Sequence, residues 1–598
     1  MRSRRGAWIA GILGAAALAG GGACTSNRPS FDSGSAFEVE AGTDAPVCGF
    51  QCSLDGRGIV STCSGEVVET CAPHLACGAA RCQEPCAAAA AGERSDGCEF
   101  FFQTPRYKKD LAQSCFAVYV VNTSNAPVDL SLELEGESLD ISKALYRTNP
   151  GDAKLQPHTG SLPAGETAIL FVSDRSPNEP IPSGQGSLIS PCPGGVVPAS
   201  TSDLLPNGNG FGSAFYLKAT LPVSVTSIYP FGGASSYLPS ATLLLPVSSW
   251  SKEHMIVNGW ELARSGVPGT QILASENETE VTIIPKRDVQ DGRGIIGTAA
   301  GVPATYRLER GQILQLAQNE ELSGSIVTST KPTAAFGGHS CANIPSGGNA
   351  CDTLNQQIPG FERWGSKYVA AGYRPRAGNE NELMGYRIVA ARDGTVLEYD
   401  PAPPVGAPLE MSAGQVALFV QPLSEPFVVR TQDVEHPVYL AAYMSGCIGG
   451  FETLSGGPGP SFNLQGDPEF VNVVAADQYL NAYSFYADPS YRNTSLVVVR
   501  AKDRGAFKDV WLECAGNLTG FRPVGTSGEY EYVRVDLGTD GKPGQAPDGG
   551  VCGAGLQRLR SDGPFTATLW GWDEASSYAY PGGLAQRKLV TTPLVDVK

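Results

Sequence analysis

The feature that most constrains this chain is an internal repetition. A glycine followed by an apolar run recurs as "PAGETAILFV" (163–172), "ERGQILQL" (309–316) and "SAGQVALFV" (412–420). Ahead of each lies another strand-like run: "APVDLSLELEG", "TEVTIIP" and "GTVLEYDP". Behind each lies a proline-led run: "LPVSVTSIYPFGG", "KPTAAFGGHSC" and "HPVYLAAYMSGC". A more diverged fourth copy offers "KDVWLECAG" and "GPFTATLWGWD". The leading prolines Pro222, Pro332, Pro437 and Pro564 stand 105 to 127 residues apart. A chain built this way folds as one structural unit used four times.

Alternating apolar and polar residues mark half-buried strands, and proline suits a strand's first position or an edge. About six strands per repeat of roughly 100 residues suit an antiparallel sandwich better than a propeller blade, which takes four strands and about 40–50 residues. The expectation is therefore all-β: four tandem antiparallel repeats at about 99–235, 236–350, 351–465 and 466–590, sandwich-like, with a propeller as the alternative. The 72 glycines and 44 prolines, which punctuate short apolar runs, agree with many turns.

The first 24 residues read as an export signal: basic residues, an apolar run from Ala7 to Leu18, then small residues. Cys24 follows Gly21-Gly22-Ala23 as in a bacterial lipobox, which makes it a candidate for lipidation. Residues 25–47 are polar and acidic, a spacer. Residues 48–98 hold eight cysteines, too many for so short a segment to be held by an apolar core, and disulfides are the reading in an exported chain. No pair there has the two-residue spacing of a zinc knuckle. Setting Cys24 aside leaves fifteen cysteines, an odd number.

Net charge is −17 with no basic stripe, which argues against nucleic acid as a partner. The stretch "FGGHSCANIPSGGNACD" is the one place where nucleophile-type residues adjoin a histidine. Neighbouring strand residues point to opposite faces, so His339 and Ser340 do not form a base and nucleophile pair there. Cys341 and Cys351 enclose nine residues containing proline and glycine, a span suited to a disulfide-closed loop. No catalytic residue, metal ligand or cofactor site is assigned; the five histidines are scattered, and "NENELMG" reads as a solvated loop.

Three segments together resemble one family. "KPTAAFGGHSCANIP" with "CDTLNQQIPGFERWGSKYV" is similar to the signature of the IgGFc-binding protein N-terminal domain. "DGPFTATLWGWDEASSYAYPGGL" and "DGCEFFFQTP" resemble that family's closing and opening segments. The resemblance spans about residues 96–590. It implies an extracellular, non-enzymatic binding or adhesion protein, here a bacterial lipoprotein, and it carries over no antibody contact.

The combined expectation is a protein held on the cell envelope or outer-membrane surface through lipid alone, binding an extracellular protein or glycan with loops of its repeats; secretion is the alternative localisation. The competing functional reading is an exported hydrolase centred on His339 and Cys341, and a third is a purely structural envelope protein.

Overall fold

The computed structural model describes residues 48–594, apart from short gaps at 54–55, 111, 182, 184–188, 233–237 and 456–461. Cys24 and the signal and spacer segments lie outside the described residues. Strands dominate. Among the described residues, the α-helix Pro85–Ala91 (α1) and a few 3-10 turns are the only helical segments, and none is long and apolar enough to cross a membrane.

The Cys-rich segment is a small three-stranded sheet, a two-stranded hairpin and α1, joined by Cys52–Cys77, Cys71–Cys82 and Cys86–Cys98. The last bond ties α1 to Gly97–Phe102, the first strand of the repeat region.

After it come four sheet systems in chain order, each of eight to ten strands and all antiparallel. Their shared plan centres on one long strand. In the first repeat this is β1 (Phe215–Tyr229), followed by β2 (Ser240–Leu244). Residues 215–219 pair with Gly97–Phe102 and Leu130–Leu134. Residues 223–229 pair instead with Phe116–Asn122 and β2. The strand thus leaves one set of partners and joins another, folding the sheet over into a sandwich.

The second repeat does the same with β3 (Ile326–Ala342) and β4 (Asp352–Ile358). The third breaks its long strand into β5 (Phe427–Thr431) and β6 (Val438–Met444), followed by β7 (Glu469–Asn472), and its sheet divides into two of four strands. The fourth uses β8 (Gly555–Asp573) and β9 (Ser576–Pro581).

The four prolines sit at these corners. Pro222, Pro332 and Pro564 lie inside β1, β3 and β8 rather than at a strand's start, and only Pro437 directly precedes a strand. A residue between two sets of ladder partners has no acceptor for an N–H, so proline removes nothing there.

The glycine markers are turns. Gly165, Gly311 and Gly414 have φ of 69°, 79° and 67°. The residue after each donates its N–H to the carbonyl three positions back: Glu166 to Pro163, Gln312 to Glu309, Gln415 to Ser412. This is a type II turn, whose third position needs positive φ. Gly528, at φ 66° before Tyr530–Thr539, holds the same place in the fourth repeat, where sequence reading missed it.

The closing strands β2, β4, β7 and β9 meet at a common centre. Gln356 on β4 organises it. Its side-chain amide donates to the carbonyls of Ala241 (2.8 Å), Phe470 (3.0 Å) and Ala579 (3.1 Å), one on each of the other three strands. Ser240 and Thr242 accept from the N–H groups of Asn355 and Gln357, and Asn472 donates to the Gln357 carbonyl. A propeller would share this radial arrangement, but the units here are folded-over sheets rather than four-stranded blades. The ring closes where residues 93–95 run beside 584–586, with Gln586 N–H donating to the Glu93 carbonyl and Leu584 N–H to Ser95 Oγ.

The joints between repeats also recur. Trp250, Trp364 and Tyr479 each end a 3-10 turn and send their N–H back into it. Four residues on stand His254, Tyr368 and Tyr483. Each binds the carbonyl just after a corner proline: Thr333 (3.1 Å), Val438 (2.5 Å) and Phe565 (2.6 Å). His254 is buried, which holds its imidazole down to about 4, and its Nε2 faces the Ser251 and Thr333 carbonyls, so Nε2–H donates as the tyrosine hydroxyls do.

Candidate functional site: the loop rim around the hub

Residues pair in step around the hub: 240 with 355 and 242 with 357, 356 with 470 and 357 with 472, and 467 with 577 while 470 and 579 share the Gln356 amide. The four closing strands therefore run in one direction, and the loops that lead into them emerge at one end. These are 230–239, 343–351, 445–468 and the two-residue turn 574–575. The second, third and fourth join one another. Gly446 N–H donates to the Ile344 carbonyl (2.8 Å), Ala575 N–H to Leu464 (2.7 Å) and Gly466 N–H to Asp573 (2.8 Å).

His339, Ser340 and Cys341 stand at the end of β3, on the way into the second loop. The two glycines before them are set by close backbone approach. A Cβ on Gly337 would lie 1.7 Å from the Val257 carbonyl oxygen, and one on Gly338 would lie 2.2 Å from that of Leu354.

His339 is fully buried, and burial pushes its imidazole down to about 3. Its Nε2–H donates to the Glu261 carbonyl and its Nδ1 accepts the Cys341 N–H, both at 3.1 Å. No ring nitrogen is left to take a proton. Ser340 Oγ accepts the Val267 N–H (2.9 Å) in a different turn. Cys341 is bonded to Cys351, S–S 2.05 Å. The arrangement has neither a free nucleophile nor a free base, so the chemistry of a hydrolase is not assembled at His339 and Cys341.

The third loop is held differently. At its base the Arg376 guanidinium is buried, paired with Glu382 at 2.8 Å, and donates to the Ser445 and Gln465 carbonyls at 2.8 and 3.2 Å. It also stacks 3.6 Å over the Phe462 ring. Cys447 in this loop is a free, buried thiol that burial pushes up to about 11, which makes it a poor nucleophile. Fourteen cysteines are oxidised, so among the described residues Cys447 is the odd one. The same loop exposes Ile448, Leu454 and Leu464. Sequence reading passed over these three, since single apolar residues in a Gly-rich loop carry no periodic signal.

Cavities offer little alternative. One lined by Gln103, Asp203 and Phe215 holds about 10 Å³, and one lined by Met384, Tyr386 and Trp570 about 30 Å³. Each has room for about a water. Among the described residues no three His, Cys, Asp or Glu side chains gather as metal ligands. The residues of "NENELMG" fold onto structure: Glu382 serves Arg376, and Glu380 pairs with Arg534 at 2.9 Å.

Fold and rim together define an all-β, disulfide-bonded repeat protein whose accessible chemistry lies in loops rather than in a pocket. The chain belongs to the IgGFc binding protein family, whose model matches residues 240–571. It is 25% identical over 299 residues to the IgGFc-binding protein of Homo sapiens, a match that takes in 50% of this chain and 5% of that protein. The chain thus spans about a twentieth of the length of the curated relative it matches.

Proposed function

We propose that this is an exported binding protein that uses the loop rim to hold an extracellular protein or glycan, without catalysis. One observation carries the reading: four loops of different length converge at one end of a rigid hub, and the longest presents Ile448, Leu454 and Leu464 to solvent. Loops on a rigid scaffold are where binding residues concentrate. The family is named for a binding activity, which agrees with the reading. Lipidation at Cys24, with residues 25–47 as a spacer and 48–98 as a stapled stalk, would hold the rim at the cell envelope. This anchoring is part of the proposal.

The test is a binding assay with the purified ectodomain on immobilised antibody Fc fragment and on mucin glycopolymer. The wild-type protein retains one of these probes, and the Ile448→Asp/Leu464→Asp variant loses it at unchanged melting temperature. If that variant binds as well as wild type, the rim is not the contact surface. If the wild-type protein retains neither probe, the proposed ligand classes are wrong. Mass spectrometry of the N-terminal peptide from membranes tests the anchor separately, and an unmodified Cys24 rejects it.

A further inference from the structure

The hub is buried and held by neutral polar side chains, yet three carboxyl groups are buried in it as well. Asp352 opens β4, Glu469 opens β7, and Asp467 stands two residues before Glu469. All three are less than a twentieth exposed. Glu469 accepts from its neighbour's N–H at Phe470 (2.9 Å) and from Ser240 Oγ (3.2 Å), reaching across to the first repeat. Asp467 accepts the Cys447 N–H at 3.4 Å, while its own carbonyl accepts from Ser577 Oγ of the fourth repeat (2.5 Å). Asp352 is held by the Leu238 N–H from the first repeat's loop. One oxygen of Asp352 and one of Glu469 have no hydrogen-bond partner.

We propose that these carboxyls make the hub a proton-closed clasp: protonated, they hold the four repeats and the rim loops together, and their ionisation as pH rises loosens that junction. The charge balance requires it. Asp352 faces Asp467, Glu469 and Cys447, three groups that are neutral or negative. Among the described residues the one cation that acts on this cluster is Arg376, which faces Asp467 and Cys447 but is already matched by Glu382. Ionising the cluster would bury several negative charges against one engaged cation, an arrangement that is costly in a low-dielectric interior.

The titration points the same way. Burial raises Asp467 to about 7, and burial together with its acidic neighbours raises Asp352 well above the usual carboxylate range. Burial raises Glu469 likewise, with the Phe470, Ala241 and Ala579 N–H groups and Ser240 opposing it. In the unfolded chain all three lose their protons near pH 4. Between that value and the folded one, the native protein binds more protons than the unfolded chain. Stability from these groups is therefore complete below about pH 4 and is lost as pH rises through the folded values, over about pH 4 to 7 for Asp467 and further for the other two.

The experiment measures hydrogen exchange at the backbone amides of Ala241, Phe470 and Ala579 in the full ectodomain, corrected for the intrinsic base-catalysed rate. Between about pH 6 and 8 protection at these amides falls roughly tenfold from Asp467 alone, the value for one group titrating near 7. The Asp467→Asn variant shows a correspondingly smaller fall. Protection independent of pH in the wild-type protein overturns the proposal, and so does an Asp467→Asn variant that falls in parallel with it. Should that variant not fold, infrared difference spectra of the wild-type protein across the same range decide. Loss of a protonated-carboxyl band supports the clasp, and no such band at the lower pH rejects it.

Discussion

The second and third rim loops leave equivalent strands and end on equivalent closing strands, yet they are secured by different chemistry. Residues 343–351 are short, and the Cys341–Cys351 bond closes them. Residues 445–468 are more than twice as long, and the cysteine nearest the corresponding place, Cys447, has no partner. There a buried arginine does the work, binding Ser445 at one end of the loop and Gln465 at the other. A covalent staple needs two Cα atoms within about 7 Å. A guanidinium with five donors reaches carbonyls on both arms of a wide loop. The shorter loop becomes a fixed rim element, and the longer carries the exposed apolar residues Ile448, Leu454 and Leu464.

Removing the anchor of the long loop is the strongest way to break this comparison. Arg376→Ala leaves Glu382 buried without its cation and costs about 3–5 kcal/mol, measured by urea denaturation. Opening the short loop with Cys341→Ser and Cys351→Ser costs roughly 2–3 kcal/mol by the same measurement. A smaller effect follows at the free thiol. Cys447→Ala stays within about 1 kcal/mol, and native Cys447 resists alkylation at neutral pH until the protein unfolds, because it is buried and its thiol is held up at about 11. Smallest of all is Leu464→Asp, which changes stability by less than about 0.5 kcal/mol, since the side chain is exposed. A large loss there would mean that the long loop is packed as tightly as the short one.

The all-β repeat plan was legible because its markers are backbone requirements. A type II turn needs glycine, and "AGE", "RGQ" and "AGQ" show it in three copies. The corner prolines were equally visible but misplaced. A missing N–H looks the same at a strand's start as at a crossover, and only pairing on both sides of Pro222, Pro332 and Pro564 separates the two. The joint residues His254, Tyr368 and Tyr483 were hidden by chemistry, since an imidazole and two phenols share a role without sharing a residue type. The hub left no local trace. Gln356 lies in "NQQ", a polar run that looks solvated until strands from three other repeats close over it.

The seam between residues 93–95 and 584–586 has a mechanical consequence. The two segments run antiparallel, with Glu93 meeting Gln586, so the flanking chain lies at the same end of the pair on both sides. Force arriving from the N-terminal side passes through the Cys86–Cys98 bond directly to the first strand of the repeat region, and residues 93–95 lie outside that path. On the other side, residues 589–592 are bound to Glu362, Arg392 and Glu435, so load is taken up there before it reaches the seam, which is shielded from pull on both sides.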